Sequence, residues 1–586
     1  MPEPLVDSDS LLAVDVGAIT TRAALFDVVE GFYRFIASGH SSTTAAAPFK
    51  DINEGIHSAI EDLQSITGRK FLNEEQRLII PAEVGRGVDT FAATFSAGPA
   101  LKTVVVGLLN DVSLESAQRL ARTTYARVVD TIGLNDKRKP EQQIDTLLRL
   151  RPDLILVAGG TDRGATLSVR RLIEIIGLAC FILPAENRPA VLFAGNKNMA
   201  EEIKTGLQNL ASSLSISPNI RPDLETEDLQ PAQNALARLY PQVRRNQMSG
   251  VDELNTLAGD TLMPTAYAEG RIIRFLSQVY DSAKGILGVD LGASAASIAA
   301  SFAGDLTLGV YPQLGLGEGL ADLLRFTSLN EIMKWLTLDV PADTVRDYIY
   351  QKSIYPASLP ATPEDLSIEQ ALARQALYIA LNSLSKDFPH QVRRASPSVA
   401  PYFEPILACG SVITRAPTLG QSLLILLDGI QPVGITTLIL DQNNLLPALG
   451  AAASRNSILP VQILESGAFL GLATVVAPYT TSRPGNTPVL KVRLLYQNGN
   501  ESRLDIKQGS LEVFPLPVGQ SARLFIDPFH HTDIGFGPGR TSEAGIPVTG
   551  TALGLVIDAR GRPLPIPADP DRQRDIAKKW LWTVGG

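Results

Sequence analysis

The chain has 586 residues, 45 % of them apolar and 19 % charged, with a formal net charge of −9. That length exceeds one ordinary hydrophobic core and predicts several domains, and the acidic balance argues against broad nucleic-acid binding, which needs a basic face. The two cysteines, Cys180 and Cys409, lie far apart in apolar runs and read as buried thiols of a reducing compartment, not as a disulfide framework. The N-terminal MPEPLVDSDS lacks a basic stretch followed by an apolar one, and every run of about 18 apolar residues contains a charge or a breaker. The expectation is a cytoplasmic protein with no leader and no membrane span.

In chain order, LLAVDVGAITTRAALFD (Leu11 to Asp27) predicts two strands around a tight Gly turn, and YRFIASGHSS a third. Ile52, Ile56, Ile60 and Leu63 recur at helical spacing. From Lys102 to Asp223 apolar strands alternate with helices, which predicts a parallel sheet covered on both faces; Ser113 is the expected N-cap of the first of these helices. A long helix is expected over Ala266 to Tyr280. ILGVDLGASAASIAAS (Ile286 to Ser301) then repeats the first hairpin's pattern of apolar run, Asp-x-Gly, small residues and second apolar run. A later helix is marked by Thr362 as N-cap, Pro363 at its first position, and Glu364 and Asp365 in its first turn. After Gly467 apolar and polar residues alternate around an Asn-Gly turn, which predicts a β-rich region closed by a helix from Asp569 to Val584.

A strand-turn-strand with Gly at the turn lets backbone N–H groups approach an anion, small hydroxylated residues add donors, and a carboxylate at the strand end can hold magnesium through its waters. Two such hairpins in one chain, with further matching stretches in order, resemble the actin, sugar kinase and Hsp70-like ATPase superfamily. DVGAITTR (Asp15 to Arg22) resembles its first phosphate motif, MPTAYAEG (Met263 to Gly270) its first connecting helix, and DLGASAAS (Asp290 to Ser297) its second phosphate motif. ILACGSVI (Ile406 to Ile413) resembles the adenosine motif and LPALGAAA (Leu446 to Ala453) the second connecting helix. DLILVAGGTDRG, VLFAGNKN, QKSIYPASLPATPEDLSIEQALARQAL and GAFLGLATVVAP are similar to the glutamate mutase accessory protein family, MutL or GlmL, which is distinct from the mismatch-repair MutL.

The resemblance implies an α/β protein with the actin-like ATPase fold: two RNase H-like lobes, an inserted α/β subdomain and a C-terminal β-rich domain. The boundaries expected are 1–101 for the first half of lobe I, 102–223 for the insert, 224–283 for a connecting helical segment, 284–466 for lobe II, and 467–586 for the β-rich domain with its terminal helix. It implies ATP or ADP with magnesium as ligand. Asp15 and Asp290 would face the metal through water, and Gly17 and Gly292 would approach phosphates. Thr20, Thr21, Arg22 and Ser294 would line the phosphate turns, and Gly410 and Ser411 the adenosine. The implied partner is a cobalamin-dependent mutase, for which the chain would act as a reactivating chaperone.

The second phosphate motif departs from the family's pattern. Ala293 replaces a Gly, Ala295 and Ala296 replace threonines, and Ser297 replaces an Asp, so hydroxyl donors and a carboxylate are missing. ATP hydrolysis is therefore expected to be weak or lost, with no catalytic residue assigned. Two other functions stay open at this point, a non-hydrolysing actin-like scaffold or filament and a small-molecule kinase. AGGTDRG (Ala158 to Gly164) reads either as a ligand turn at a sheet edge or as a plain turn in which Asp162 caps the next helix. FHHTD (Phe529 to Asp533) reads as a surface loop, and Ile576, Trp580 and Val584 as a helix face packed on the chain's own domain.

Overall fold

A computed structural model describes residues 9–481 and 487–585. The first eight residues, read above as carrying no leader, and residues 482–486 of the β-rich region lie outside them. The chain divides into two compact units: Met1–Ala268 with Gly309–Pro312 and Pro447–Ile463, and Glu269–Leu308 with Gln313–Leu446 and Leu464–Gly586.

The first unit holds two five-stranded sheets. One is built from β1 (Leu11–Val16), β2 (Thr20–Val29), β3 (Phe32–Ser42) and β4 (Thr90–Phe95). The other uses β5 (Leu101–Val106), β6 (Ala126–Ile132), β7 (Leu154–Val157), β8 (Ala190–Phe193) and β9 (Ser213–Ile216). β10 (Met263–Pro264) completes the first sheet in the order β10-β4-β1-β2-β3. β1 is central and wholly buried, which is why LLAVDV is almost continuously apolar. It runs antiparallel to β2 and parallel to β4. The helix Asn53–Thr67 buries Ile56, Ala59, Ile60 and Leu63. It lies so close to β3 that a Cβ on Gly39 would sit 2.2 Å from the Ala59 carbonyl oxygen.

The second sheet is parallel throughout, in the order β6-β5-β7-β8-β9, as the strand-helix alternation predicts. Its core joins Val104, Val106, Ile155, Val157, Val191 and Phe193 to helix residues Ile176 and Ile203. Ser113 does not cap a helix start. It lies inside a π-helical turn, Asn110–Leu114, and its Oγ accepts from the Leu108 and Leu109 N–H groups.

In a further sheet, built mostly from the second unit, β11 (Gly285–Leu291), β12 (Ala296–Phe302), β13 (Asp305–Tyr311), β14 (Phe403–Cys409) and β15 (Gly434–Leu440) repeat the order of the first sheet, third-second-first-fourth-fifth. β11 again runs antiparallel to its hairpin partner and parallel to the fourth strand. This repeated topology is the actin-like fold. The helix Pro363–Leu384 starts with the expected N-cap Thr362, whose Oγ accepts from the Asp365 N–H at 3.1 Å, and the Asp365 side chain completes a capping box.

Residues 467–586 are β-rich as expected, but they do not stand apart from lobe II. β16 (Leu470–Ala477) pairs with β15. The remaining strands are β17 (Tyr479–Thr480), β18 (Pro488–Tyr496), β19 (Glu501–Lys507), β20 (Leu511–Phe514), β21 (Ser521–Pro528), β22 (Thr532–Asp533), β23 (Ile546–Thr549) and β24 (Leu555–Asp558). β24 and β20 extend the lobe II sheet to eight strands, while β19-β18-β21-β23 form a sheet of their own. Val476, Leu555 and Ile557 of the large sheet share one core with Leu490, Val492, Leu494 and Leu524 of the small one. Period-2 alternation identifies a strand and leaves its partner open.

The terminal helix Pro570–Thr583 packs on its own unit. Its Trp580 ring lies 4.5 Å from the Arg560 guanidinium, whereas Trp582 is 84 % exposed. Arg560 is fully buried and donates to Asp558 at 2.8 and 2.9 Å and to Asp428 at 2.8 Å. Arg374 donates to the other oxygen of Asp428 at 2.9 Å, and Arg562 to Asp558 at 2.6 Å. Among the described residues no helix is long and apolar enough to cross a membrane.

Candidate functional site

In the first unit, Asp15, Thr94 and Thr265 meet where three parallel strands end. Asp15 of β1 is opposite Thr94 of β4, and Thr265 follows β10 directly. The C-terminal edge of parallel strands is where such sheets bind ligands. Thr94 and Thr265 donate their hydroxyls to Asp15 Oδ1 at 2.7 and 2.8 Å. Asp15 Oδ2 lies 3.9 Å from the guanidinium of Arg22, its cross-strand partner. The carboxylate is 6 % exposed and held in one orientation. The turn after it is closed by Gly17 N–H donating to the Thr20 carbonyl at 3.1 Å. A Cβ on Gly17 would stand 2.7 Å from that oxygen, so only Gly closes the turn without a shift. Thr20 is half-buried at the turn. Thr21 points the other way: it is fully buried and its hydroxyl meets that of Thr43 at 3.3 Å.

The second unit repeats the plan with different chemistry. Gly292 N–H donates to the Ala295 carbonyl at 3.0 Å, as Gly17 does to Thr20. A Cβ on Gly292 would meet nothing nearer than 3.6 Å. Ala295 and Ala296 are buried, and Ser297 is buried opposite Asp290, at the register position Arg22 holds opposite Asp15. Gly315 and Gly317 cover this turn, where Cβ atoms would stand 2.6 Å from the Ala293 carbonyl oxygen. Ser294 is half-buried in it. Gly410 has φ +93° and abuts β11, with a Cβ falling 2.3 Å from the Leu291 oxygen. Ser411, exposed, opens the short helix that follows.

Here too three parallel strands end side by side. Asp290 of β11 is opposite Cys409 of β14, and Asp441 follows β15. The Asp441 carboxylate accepts from the Leu445 and Leu446 N–H groups, each at 2.8 Å, and the Cys409 thiol donates to Asn444 Oδ1 at 3.0 Å. Behind them stands Glu269, 2 % exposed, with Oε1 lacking a hydrogen-bond partner among the described residues. Burial, and then the Asp290 and Asp441 carboxylates, hold Glu269 well above the usual carboxylate range, so its neutral form is favoured. Glu269 was not among the candidates read from the sequence. It lies in MPTAYAEG, where its helical position says nothing of the two acids beside it.

A sequence profile described as MutL protein matches residues 11–467. The chain belongs to the MutL protein family. Protein MutL of Clostridium tetanomorphum is 24 % identical over 395 residues, covering 64 % of this chain and 78 % of that protein. This is the glutamate mutase accessory family, with the actin-like ATPase fold. Solved structures similar to the chain include ethanolamine utilization protein EutJ from Carboxydothermus hydrogenoformans, at 10 % identity and a TM-score of 0.27, covering 77 % of this chain and 91 % of that one. A ROK family glucokinase from Streptomyces griseus, solved with glucose and AMPPNP, matches at 11 % identity and a TM-score of 0.28, covering 76 % and 98 %. At such scores the fold assignment rests on the sheet order, not on these structures.

Two remaining motifs of this MutL-family chain have plain locations. Asp162 does not cap the helix Leu167–Ile182, whose N-cap is Thr166. It ties two neighbouring loops together, accepting from Asn219 Nδ2 at 3.0 Å and meeting Lys197 Nζ at 3.2 Å. His530 and His531 are exposed in a turn, their rings 4.5 Å apart. Cys180 and Cys409 are buried thiols, and neither forms a disulfide among the described residues.

Proposed function

We propose that this protein is a nucleotide-responsive accessory protein of a cobalamin-dependent mutase, binding magnesium-ATP or -ADP and hydrolysing it slowly. The observation that carries the binding reading is the Asp15 carboxylate, oriented by Thr94 and Thr265 beside the Gly17 turn. Its Oδ1 already accepts two hydroxyls, a donor set that suits contact with magnesium through water better than direct coordination. The turn backbone and the Thr20 hydroxyl would hold phosphate oxygens, with Arg22 beside them. The buried Thr21 hydroxyl serves the lobe's interior in this reading. Magnesium, when bound, neutralises charge on phosphate oxygens. The second unit, taken by itself, carries groups of the same kind: Asp290 could face hydrated magnesium, Gly292 and Ser294 would present their turn to phosphate, and Gly410 with Ser411 would offer a close backbone to adenosine.

Slow hydrolysis is supported by two features of the second unit. Ala295 and Ala296 supply no hydroxyl at the second turn. Glu269, the buried acid of that strand-end cluster, is favoured neutral, and a neutral carboxyl cannot take a proton from water. Family membership supports the mutase partner, and a change of lobe state on nucleotide binding is the kind of switch such a role needs.

Calorimetric titration of the full chain with Mg-ATP and Mg-ADP tests the binding reading. We expect binding that is lost in Asp15→Ala and weakened in Thr20→Ala, with circular dichroism confirming that both variants fold. Absence of binding at millimolar nucleotide would overturn it. Phosphate release measured on the same samples tests the slow turnover, and a rate matching an active ATPase would overturn that part alone.

A further inference from the structure

A polar cavity lies in the second unit, far in sequence from both hairpins. It has a volume of about 80 Å³, several times the ~10–15 Å³ that one water needs. Its wall includes Asn382, Ser385, Arg394, Ser398, Gln431 and Arg562, and no Asp or Glu lines it. In a chain with a net charge of −9, an acid-free wall with two arginines is a local reversal of sign.

The two arginines differ in what they have left to give. Arg562 is committed: it donates to Asp558, to the Pro432 carbonyl and to the Gly561 carbonyl. Arg394 makes one long bond, from Nη2 to the Ser385 carbonyl at 3.4 Å, and its guanidinium stands 5.9 Å from the centre of the Phe388 ring. It has no carboxylate partner among the described residues. Burial alone pushes this guanidinium below its usual value, with no acid opposing the effect. An arginine carries five N–H donors in a planar fork, so most of its donors face no protein acceptor.

The neighbouring groups are donors too. Gln431 Oε1 accepts from the Leu564 N–H at 2.8 Å, which leaves the NH2 end as the part with hydrogen bonds to give. The hydroxyls of Ser398 and Ser396 are 3.1 Å apart at the exposed side of the loop. That loop carries Lys386, Arg393 and Arg394 against the single acid Asp387 over residues 386–398.

We propose that this cavity binds a small oxyanion, a phosphate or carboxylate group, on the Arg394 guanidinium with Gln431 and Ser398 as supporting donors. A guanidinium fork beside neutral donors is the arrangement that recognises such groups, and charge-assisted hydrogen bonds to it are the strong ones. The volume limits the bound part to one such group, with the remainder of a larger ligand outside. The proposal is independent of the hairpin nucleotide reading.

The test is calorimetric titration of the full chain with inorganic phosphate and, separately, with acetate at matched ionic strength. It is run in a Thr20→Ala background, which weakens the first hairpin's share, and the cavity's share is read as the part that the Arg394 and Ser398 variants change. We expect millimolar binding of at least one anion, and which of the two binds identifies the group. Arg394→Gln should weaken it by about tenfold or more, the loss expected for hydrogen bonds to a charged group, and Arg394→Lys should recover part of it. Ser398 is exposed, and circular dichroism checks that Ser398→Asp folds; by placing a carboxylate in the wall that also holds Arg394 it should abolish binding. The proposal is overturned if neither anion binds at millimolar concentration, or if Ser398→Asp binds as tightly as its parent.

Discussion

Thr265 donates its hydroxyl to Asp15 Oδ1 at 2.8 Å, joining residues 250 positions apart in the chain. Asp15 is the last residue but one of the first strand of its sheet and Thr265 follows the last strand, so the bond ties chain-distant parts of one lobe at the point where its parallel strands stop. A buried carboxylate with such support is held in one orientation, which is what a magnesium-facing group needs.

Thr265→Val removes that donor and keeps the side chain's shape. A hydrogen bond to a charged group contributes about 1.5–3 kcal/mol, and we expect a loss of that order in unfolding free energy by urea titration. Mg-nucleotide affinity should fall with it. Thr265→Ser, which keeps the hydroxyl, should restore most of both.

The two echoing turns should respond differently to the same change. Gly17→Ala puts a methyl 2.7 Å from the Thr20 oxygen, whereas Gly292→Ala meets nothing nearer than 3.6 Å. Displacing packed neighbours costs typically ~1–3 kcal/mol. We expect the first variant to lose stability on that scale and the second to melt close to the parent chain. Equal losses in the two would contradict the turn geometry.

Glu269 predicts a pH dependence of definite sign. Its folded value is raised by burial and by Asp290 and Asp441, so the folded state holds a proton that the unfolded chain gives up more readily. The stability it confers is fully present below the ordinary value of 4.5, falls as the pH rises past it, and is gone above the raised value. Glu269→Gln should flatten the decline in unfolding free energy from pH 5 upward, as about one part of the total per titrating group. Glu404, also raised by burial, leaves a slope of the same sign in the variant. A decline as steep as in the parent chain would remove Glu269 from this account.

Arg560 is the centre of the buried network in the second unit, bonded to Asp558 and Asp428 and covered by Trp580. Removing Arg560 takes three charge-assisted bonds from two buried carboxylates, leaving Asp558 to Arg562 and Asp428 to Arg374, and hydrogen bonds to charged groups contribute about 1.5–3 kcal/mol each. Arg560→Ala should therefore lower the melting temperature far more than Arg503→Ala, whose partner Glu501 it meets on an exposed strand. Differential scanning calorimetry of the two variants makes the comparison.

Much of the fold was legible because it is written locally. The β1 and β11 strands are near-continuous apolar runs, the insert alternates strand and helix, and Thr362 opens its helix with a capping box. The candidate residues of the hairpins were legible as a repeated Asp-x-Gly pattern. Thr94 was not, because a lone threonine at the end of an apolar strand has no signature until Asp15 is its neighbour in the sheet. Glu269 was not, because its raised value comes from two acids brought in from positions 290 and 441. Arg394 was not, because the absence of a partner is a property of three-dimensional surroundings.

By itself the sequence determined that this chain would build one strand-turn-strand twice and keep the threonine donors in only the first copy, since hydrophobic period, glycine at the turn and side-chain chemistry are local properties. Only the tertiary structure decided which groups stand at the strand ends together. It also decided that the C-terminal strands join the lobe II sheet, because pairing and burial depend on contacts across hundreds of residues that no local pattern encodes.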